Sequence, residues 1–155
     1  MARLPDGVRE LLEAPNFAHL ATVRPDGSPD SVPIWVRLEG DRIAFFTQPS
    51  SRKARNLGRD PRVALSLVDL GNPYRSAWIR RRIAETIEGE PALEVIDRLS
   101  NRYTGEPFPM RSGVVFLVAP ERAGFVELPF SHTPPGDSGE RSGDSGARAT
   151  GPRPS

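Results

Sequence analysis

The chain has 155 residues, 21 basic against 20 acidic side chains for a net charge of +1, and no cysteine. That length suits one domain with a real core. The near-balanced charge gives no pull toward nucleic acid or an acidic membrane, and the missing thiols exclude disulfides, thiolate metal sites and a cysteine nucleophile.

Residues 5–13 read as a short helix, with Leu11 and Leu12 on its apolar face. Phe17 to Val23 reads as a strand, and Arg24-Pro25-Asp26-Gly27-Ser28 as a turn, because proline presets φ and glycine accepts positive φ. Ser31 to Leu38 is expected as a second strand with Val32, Ile34 and Val36 on one face. Pro33 inside it argues for an edge, a bulge or an unpaired position. A tight turn at Glu39-Gly40-Asp41 leads to a third strand, Arg42 to Thr47.

The period then changes. Ser50 to Arg59 reads as one short helix with serine near its N-cap, ended by Asn56-Leu57-Gly58. Val63 to Asp69 and Ala77 to Glu88 are the next strands. Pro91 to Tyr103 is a helix carrying Leu93, Ile96, Leu99 and Tyr103 at helical spacing. Gly113 to Ala119 and Gly124 to Glu127 are the last strands. About six strands with short helices between them predict a mainly β, closed or partly closed barrel. Residues 1–132 form the expected domain. In residues 133–155, Pro, Gly and Ser supply 13 of 23 positions with no large apolar side chain, which predicts a disordered tail. The N-terminus lacks the apolar run of a signal peptide, and no stretch has the length of a membrane span, so a cytoplasmic location is expected.

The chemistry concentrates at Ser50-Ser51-Arg52-Lys53-Ala54-Arg55. Cations in a first helical turn oppose the positive end of the helix dipole, and a bound anion reverses that sign. Serine hydroxyls, free N–H groups, Arg52 and Lys53 together suit a phosphate. Lys53 is the single lysine in a chain whose other basic residues are all arginine. The segment Val32-Pro33-Ile34-Trp35 is the second feature: proline disturbs strand pairing and frees backbone groups for a heterocycle, and Trp35 is able to cover a ring. No acid–base pair is evident. His19 lies on the polar side of its strand, Tyr74 and Tyr103 are proton donors by chemistry alone, and His132 sits in a segment, Leu128 to Pro134, expected to fold over the pocket as a lid.

The run FAHLATVRPDGSPDSVPIWVRLEGDRIAFFTQPSSRKARNLGRDPRVALSLVD, continued in order by NPYRSAWIRRRIAE, RYTGEPFP and APERAGF, resembles the pyridoxamine-phosphate-oxidase-like split-barrel flavoproteins over roughly residues 8–130. It is most like their actinobacterial branch of deazaflavin (coenzyme F420)-dependent reductases. The resemblance implies a homodimeric, six-stranded antiparallel split β-barrel (the FMN-binding split barrel) with two cofactor sites at the interface. It implies that Val32, Pro33, Ile34 and Trp35 run along the flavin-type ring, that Thr47, Ser51, Arg52 and Lys53 hold the cofactor phosphate, and that Trp78 and Arg80 lie near the site. Arg81 stands where relatives often have glycine. The activity implied is hydride transfer between coenzyme F420 and an unsaturated small molecule; the alternatives are an FMN-binding oxidase or reductase and a non-enzymatic flavin- or haem-binding protein. No metal site, no nucleic acid and no membrane partner is expected.

Overall fold

The computed structural model describes residues 3–133. The expected tail lies outside these residues. Element order is α1 (Asp6–Glu13), β1 (Phe17–Val23), β2 (Pro29–Trp35), β3 (Arg37–Glu39), β4 (Arg42–Thr47), α2 (Arg52–Arg59), β5 (Arg62–Val68), β6 (Arg75–Ile87), α3 (Glu90–Thr104), β7 (Val114–Val118) and β8 (Arg122–Glu127). All pairings are antiparallel, in the order β2-β1-β5-β6-β7-β4-β3, with β8 joined to β6.

The thirteen-residue β6 makes the curl possible. Its first half pairs with β5 and β8, its second half with β7, and the register shifts between Ile83 and Glu85. Such an irregularity bends a strand and re-aims the residues beyond it. The result is a half-barrel mainly of β-structure with three helices around it.

The eight strands exceed the expected six in part because the second predicted strand, Ser31 to Leu38, divides at Val36. Residues before it pair with β1, and residues after it pair with β4. Val36 itself is fully buried, and its backbone is held by a side chain: its N–H donates to the Tyr103 hydroxyl at 3.1 Å, and its carbonyl lies 3.1 Å from the same oxygen. The chain thus switches sheets at a residue whose main-chain groups are satisfied from α3.

Alternation decides what each strand buries. Ala18 and Leu20 of β1, Val63, Leu65 and Leu67 of β5, Ile43 and Phe45 of β4, and Val114, Phe116 and Val118 of β7 fill the barrel interior with Val8, Leu11 and Leu12 of α1. The opposite faces of β4 and β7 present Ala44, Val115 and Leu117 to Ala92, Val95, Ile96 and Leu99 of α3. Covered on both faces, β7 is buried along its whole length. The α3 helix stops at Gly105, which takes the left-handed conformation (φ 78°) that ends helices and that glycine adopts without a steric penalty.

Candidate functional site

The strand order leaves β2 and β3 as edges. Pro33 therefore stands on an edge strand, where a missing N–H is tolerated. β2 and β4 approach without pairing, and this seam is the split of the barrel. A cleft of about 350 Å³ opens there, lined by Phe17, Pro33, Trp35, Phe46, Lys53 and Phe108 along with Ile34.

Its wall is aromatic. The Trp35 ring stacks on Tyr103 at 5.2 Å between centroids and 8° between planes, and meets Phe46 at 6.1 Å and Phe108 edge-on at 6.4 Å. Phe46 and Phe108 meet each other at 4.9 Å. Phe108 is set by its loop: its N–H donates to Asp97, whose carboxylate also takes both guanidinium nitrogens of Arg111 at 2.9 and 3.0 Å. The bonds from Arg111 hold the Asp97 carboxyl below its ordinary range.

At the other side of the cleft α2 begins. Ser51 caps it, its Oγ accepting from the Ala54 N–H at 3.1 Å and from the Thr47 hydroxyl at 2.9 Å. With both lone pairs engaged, the Ser51 proton is left to donate outward. The Arg55 N–H bonds the Ser51 carbonyl. Among the described residues, the N–H groups of Arg52 and Lys53 then remain without partners, as the first turn of a helix requires. No acidic residue stands in that turn. The start of α2 thus offers two backbone donors and one hydroxyl, with the cationic residues Arg52 and Lys53 on the same turn. The helix is pinned to β1 by the buried Asn56, whose side-chain amide donates to Thr22 Oγ1 at 3.0 Å.

Pro33, Ile34, Trp35 and Lys53 line this cleft, while Thr47, Ser51 and Arg52 stand with Lys53 at the start of α2 without lining it. Val32 and Ile34 turn their side chains to the barrel interior; Ile34 still borders the cleft, and Val32 does not line it. Trp78 and Arg80 are not in it. They stand on the outer face of β6, three strands from β2, where Arg80 lies over the Trp78 ring at 5.1 Å. The lid expectation is corrected: Leu128 bonds its N–H to the Tyr74 carbonyl, Phe130 and His132 pack edge-on against the Tyr74 ring, and the segment does not line the cleft. Tyr103 is committed to backbone groups, accepting from Val36 and donating to the Asn16 carbonyl. Burial pushes its phenol above the ordinary tyrosine range.

Sequence reasoning misses Phe46 and Phe108. Phe46 follows its strand's alternation, and Phe108 lies in a loop, so neither carries a local signal of its role.

Compared with known proteins, a family model for pyridoxamine 5'-phosphate oxidase matches residues 4–127. The chain belongs to this family of split-barrel proteins. A pyridoxine/pyridoxamine 5'-phosphate oxidase from Nostoc punctiforme is 35% identical over 78 residues, which are 48% of this chain and 36% of that protein. The match therefore spans about a third of that relative's length. A solved F420 reductase is 34% identical, with a TM-score of 0.71 over 78% of this chain and 98% of its own. A conserved hypothetical protein from Mycobacterium tuberculosis, 24% identical, shares the fold at a TM-score of 0.70 over 84% of this chain and 92% of its own. Among the described residues, no helix is long and apolar enough to cross a membrane.

Proposed function

We propose that this chain is an oxidoreductase that holds coenzyme F420 by its phosphate at the start of α2 and by its ring in the cleft beside Pro33 and Trp35, and transfers a hydride between that cofactor and an unsaturated small molecule. One observation carries the reading. A helix start with no acidic partner among the described residues opens onto an aromatic-walled cleft, and Lys53 belongs to both. Membership of the family and likeness to a reductase whose length it covers almost entirely support it.

The cofactor would supply the hydride chemistry when bound. The chain's own residues bind and orient. Ser51, Arg52 and Lys53 neutralise the phosphate with charge-assisted hydrogen bonds. Pro33 and Trp35 face the ring, and the wall of Phe17, Phe46 and Phe108 keeps water from it. No residue is assigned as proton donor: the Tyr103 hydroxyl is engaged by backbone, and Tyr74 packs against Phe130.

We further infer a homodimer. Phe17, Val68, Trp78 and Val126, between 38% and 45% exposed, share the outer face of β1-β5-β6-β8 by strand register. Pairing through that face removes these side chains from water and would carry Trp78 and Arg80 toward the cleft of a second copy. Light scattering on the full chain tests it: a monomer at micromolar concentration refutes the pairing.

The functional test is a side-by-side titration of the full chain with F420 and FMN, read by tryptophan fluorescence. F420 is expected to bind more tightly. Arg52→Ala with Lys53→Ala is expected to weaken it about a hundredfold or more, the worth of two charge-assisted bonds, while leaving the fold intact. Tighter binding of FMN assigns the flavin instead. Binding of neither, or equal binding by the double variant, overturns the proposed site.

A further inference from the structure

Between α3 and β7 the chain runs as Gly105-Glu106-Pro107-Phe108-Pro109-Met110-Arg111-Ser112-Gly113, with no helix or strand. From Gly105 to Ser112 every residue is exposed except Phe108. Loops of this kind are ordinarily mobile. Here the anchors converge on one residue. Pro109 confines Phe108 before it to extended backbone, and Pro107 has its own φ fixed. The Phe108 N–H donates to Asp97 Oδ1 at 3.2 Å, and the Phe108 carbonyl accepts from the Arg111 guanidinium at 3.0 Å. Arg111 and Asp97 are joined to each other by two parallel bonds. Both main-chain groups of Phe108 are thus held by the two halves of a single ion pair.

Folding stability does not account for that pair. The Arg111 side chain is 52% exposed and that of Asp97 29%. Ion pairs open to water contribute little to stability, because solvent screens them and the side chains lose freedom. What the pair decides is where a ring stands. The Phe108 ring meets Phe46 and Trp35, and with them lines the cleft. The far end of the loop has a separate tie: the Ser112 hydroxyl donates to Gln48 Oε1, and the Ser112 carbonyl accepts from Gln48 Nε2. That tie holds the loop and makes no bond to Phe108.

We propose that Phe108 is the residue by which the cleft grips a flat conjugated ring, and that Asp97 and Arg111 are positioning residues that act through it. A wall set in place before the ligand arrives needs no ordering on binding. Released from the pair, the Phe108 ring has to be ordered by the ligand, and the grip weakens.

The recognition half of this proposal rests on the cleft being a ring site, so the first arm of the test uses no cofactor. In the full chain carrying Trp78→Phe, Trp35 is the remaining tryptophan. Acrylamide quenching of Trp35 should rise in Phe108→Ala, which uncovers the indole. Asp97→Ala and Arg111→Gln should show most of that rise, with melting temperatures within a few degrees of the parent. Asp97→Asn, which keeps an acceptor for the Phe108 N–H, should fall between the parent and Asp97→Ala. Ser112→Ala should stay at the parent level. The second arm titrates otherwise unaltered chains with riboflavin, which has a flat ring and no phosphate. Asp97→Ala and Phe108→Ala should each weaken its binding about tenfold, and the two together no more than Phe108→Ala alone, because one acts through the other. Failure of riboflavin to bind the parent overturns the role of Phe108 in recognition, while the quenching arm still decides whether Asp97 and Arg111 place the ring. Quenching unchanged in Asp97→Ala, a rise in Ser112→Ala as large as that in Asp97→Ala, or additive losses of riboflavin binding overturn the positioning pair.

Discussion

Removing one hydroxyl at Tyr103 tests whether the strand switch at Val36 is held from α3. In Tyr103→Phe the ring stays, and so does its stacking on Trp35. The oxygen that accepts from the Val36 N–H and donates to the Asn16 carbonyl is lost. Water cannot readily replace it, because Val36 is 0% and Asn16 3% exposed. A buried backbone group left without a partner costs about 1–3 kcal/mol, so stranding a donor and an acceptor should cost about 2–6 kcal/mol. For a domain of this size that lowers the melting temperature by roughly 6–20 °C. Denaturant unfolding with unchanged slope is the assay, and Tyr103→Leu, which removes the ring as well, should lose more. A loss under about 0.5 kcal/mol in Tyr103→Phe, the range of ordinary surface changes, would refute the reasoning. Because Trp35 rests on this tyrosine and lines the cleft, weakened cofactor binding should accompany the leucine variant before the phenylalanine one.

Two close contacts and one perturbed carboxyl give three further expected outcomes. A methyl group at Gly7 would stand 2.5 Å from the Phe125 ring, so Gly7→Ala should destabilise by about 1–3 kcal/mol in chemical denaturation by forcing α1 off β8. At Gly124 a methyl group would lie 2.5 Å from Trp78 Nε1, so Gly124→Ala should displace that ring and shift its fluorescence, while Trp35 is left unchanged. The Arg62 guanidinium holds the Asp60 carboxyl down from 3.8 to about 2. A depressed carboxyl stabilises the fold above its unfolded pKa, so this contribution is present above pH 3.8 and is lost as pH falls toward 2. NMR titration of Asp60 in Arg62→Ala should return it toward 3.8, and no movement would mean that another group sets it.

Much of the secondary structure was legible because its causes are local. Alternation placed β1 and β5, helical spacing placed α3, and Ser51 marked the start of α2, where the cap and the free N–H groups arise from backbone geometry alone. The order of the motifs also carried the family. Where contacts come from distant sequence, local pattern was silent. Val36 continues the alternation of Val32 and Ile34, yet the strand divides there because a tyrosine 67 residues later satisfies its backbone. The aromatic wall joins residues from β1, β2, β4 and the loop after α3, which only the curl of the sheet brings together. Trp78 and Arg80 belong to the same continuous sheet as Trp35 but three strands away, so their place in any one site depends on assembly rather than on the chain. That Arg80 faces Arg122 was likewise hidden until register paired β6 with β8. Sequence determined which groups the chain owns and their local geometry. Tertiary structure decided which of them face one another, because antiparallel pairing fixes neighbours through hydrogen bonds between strands far apart in the chain.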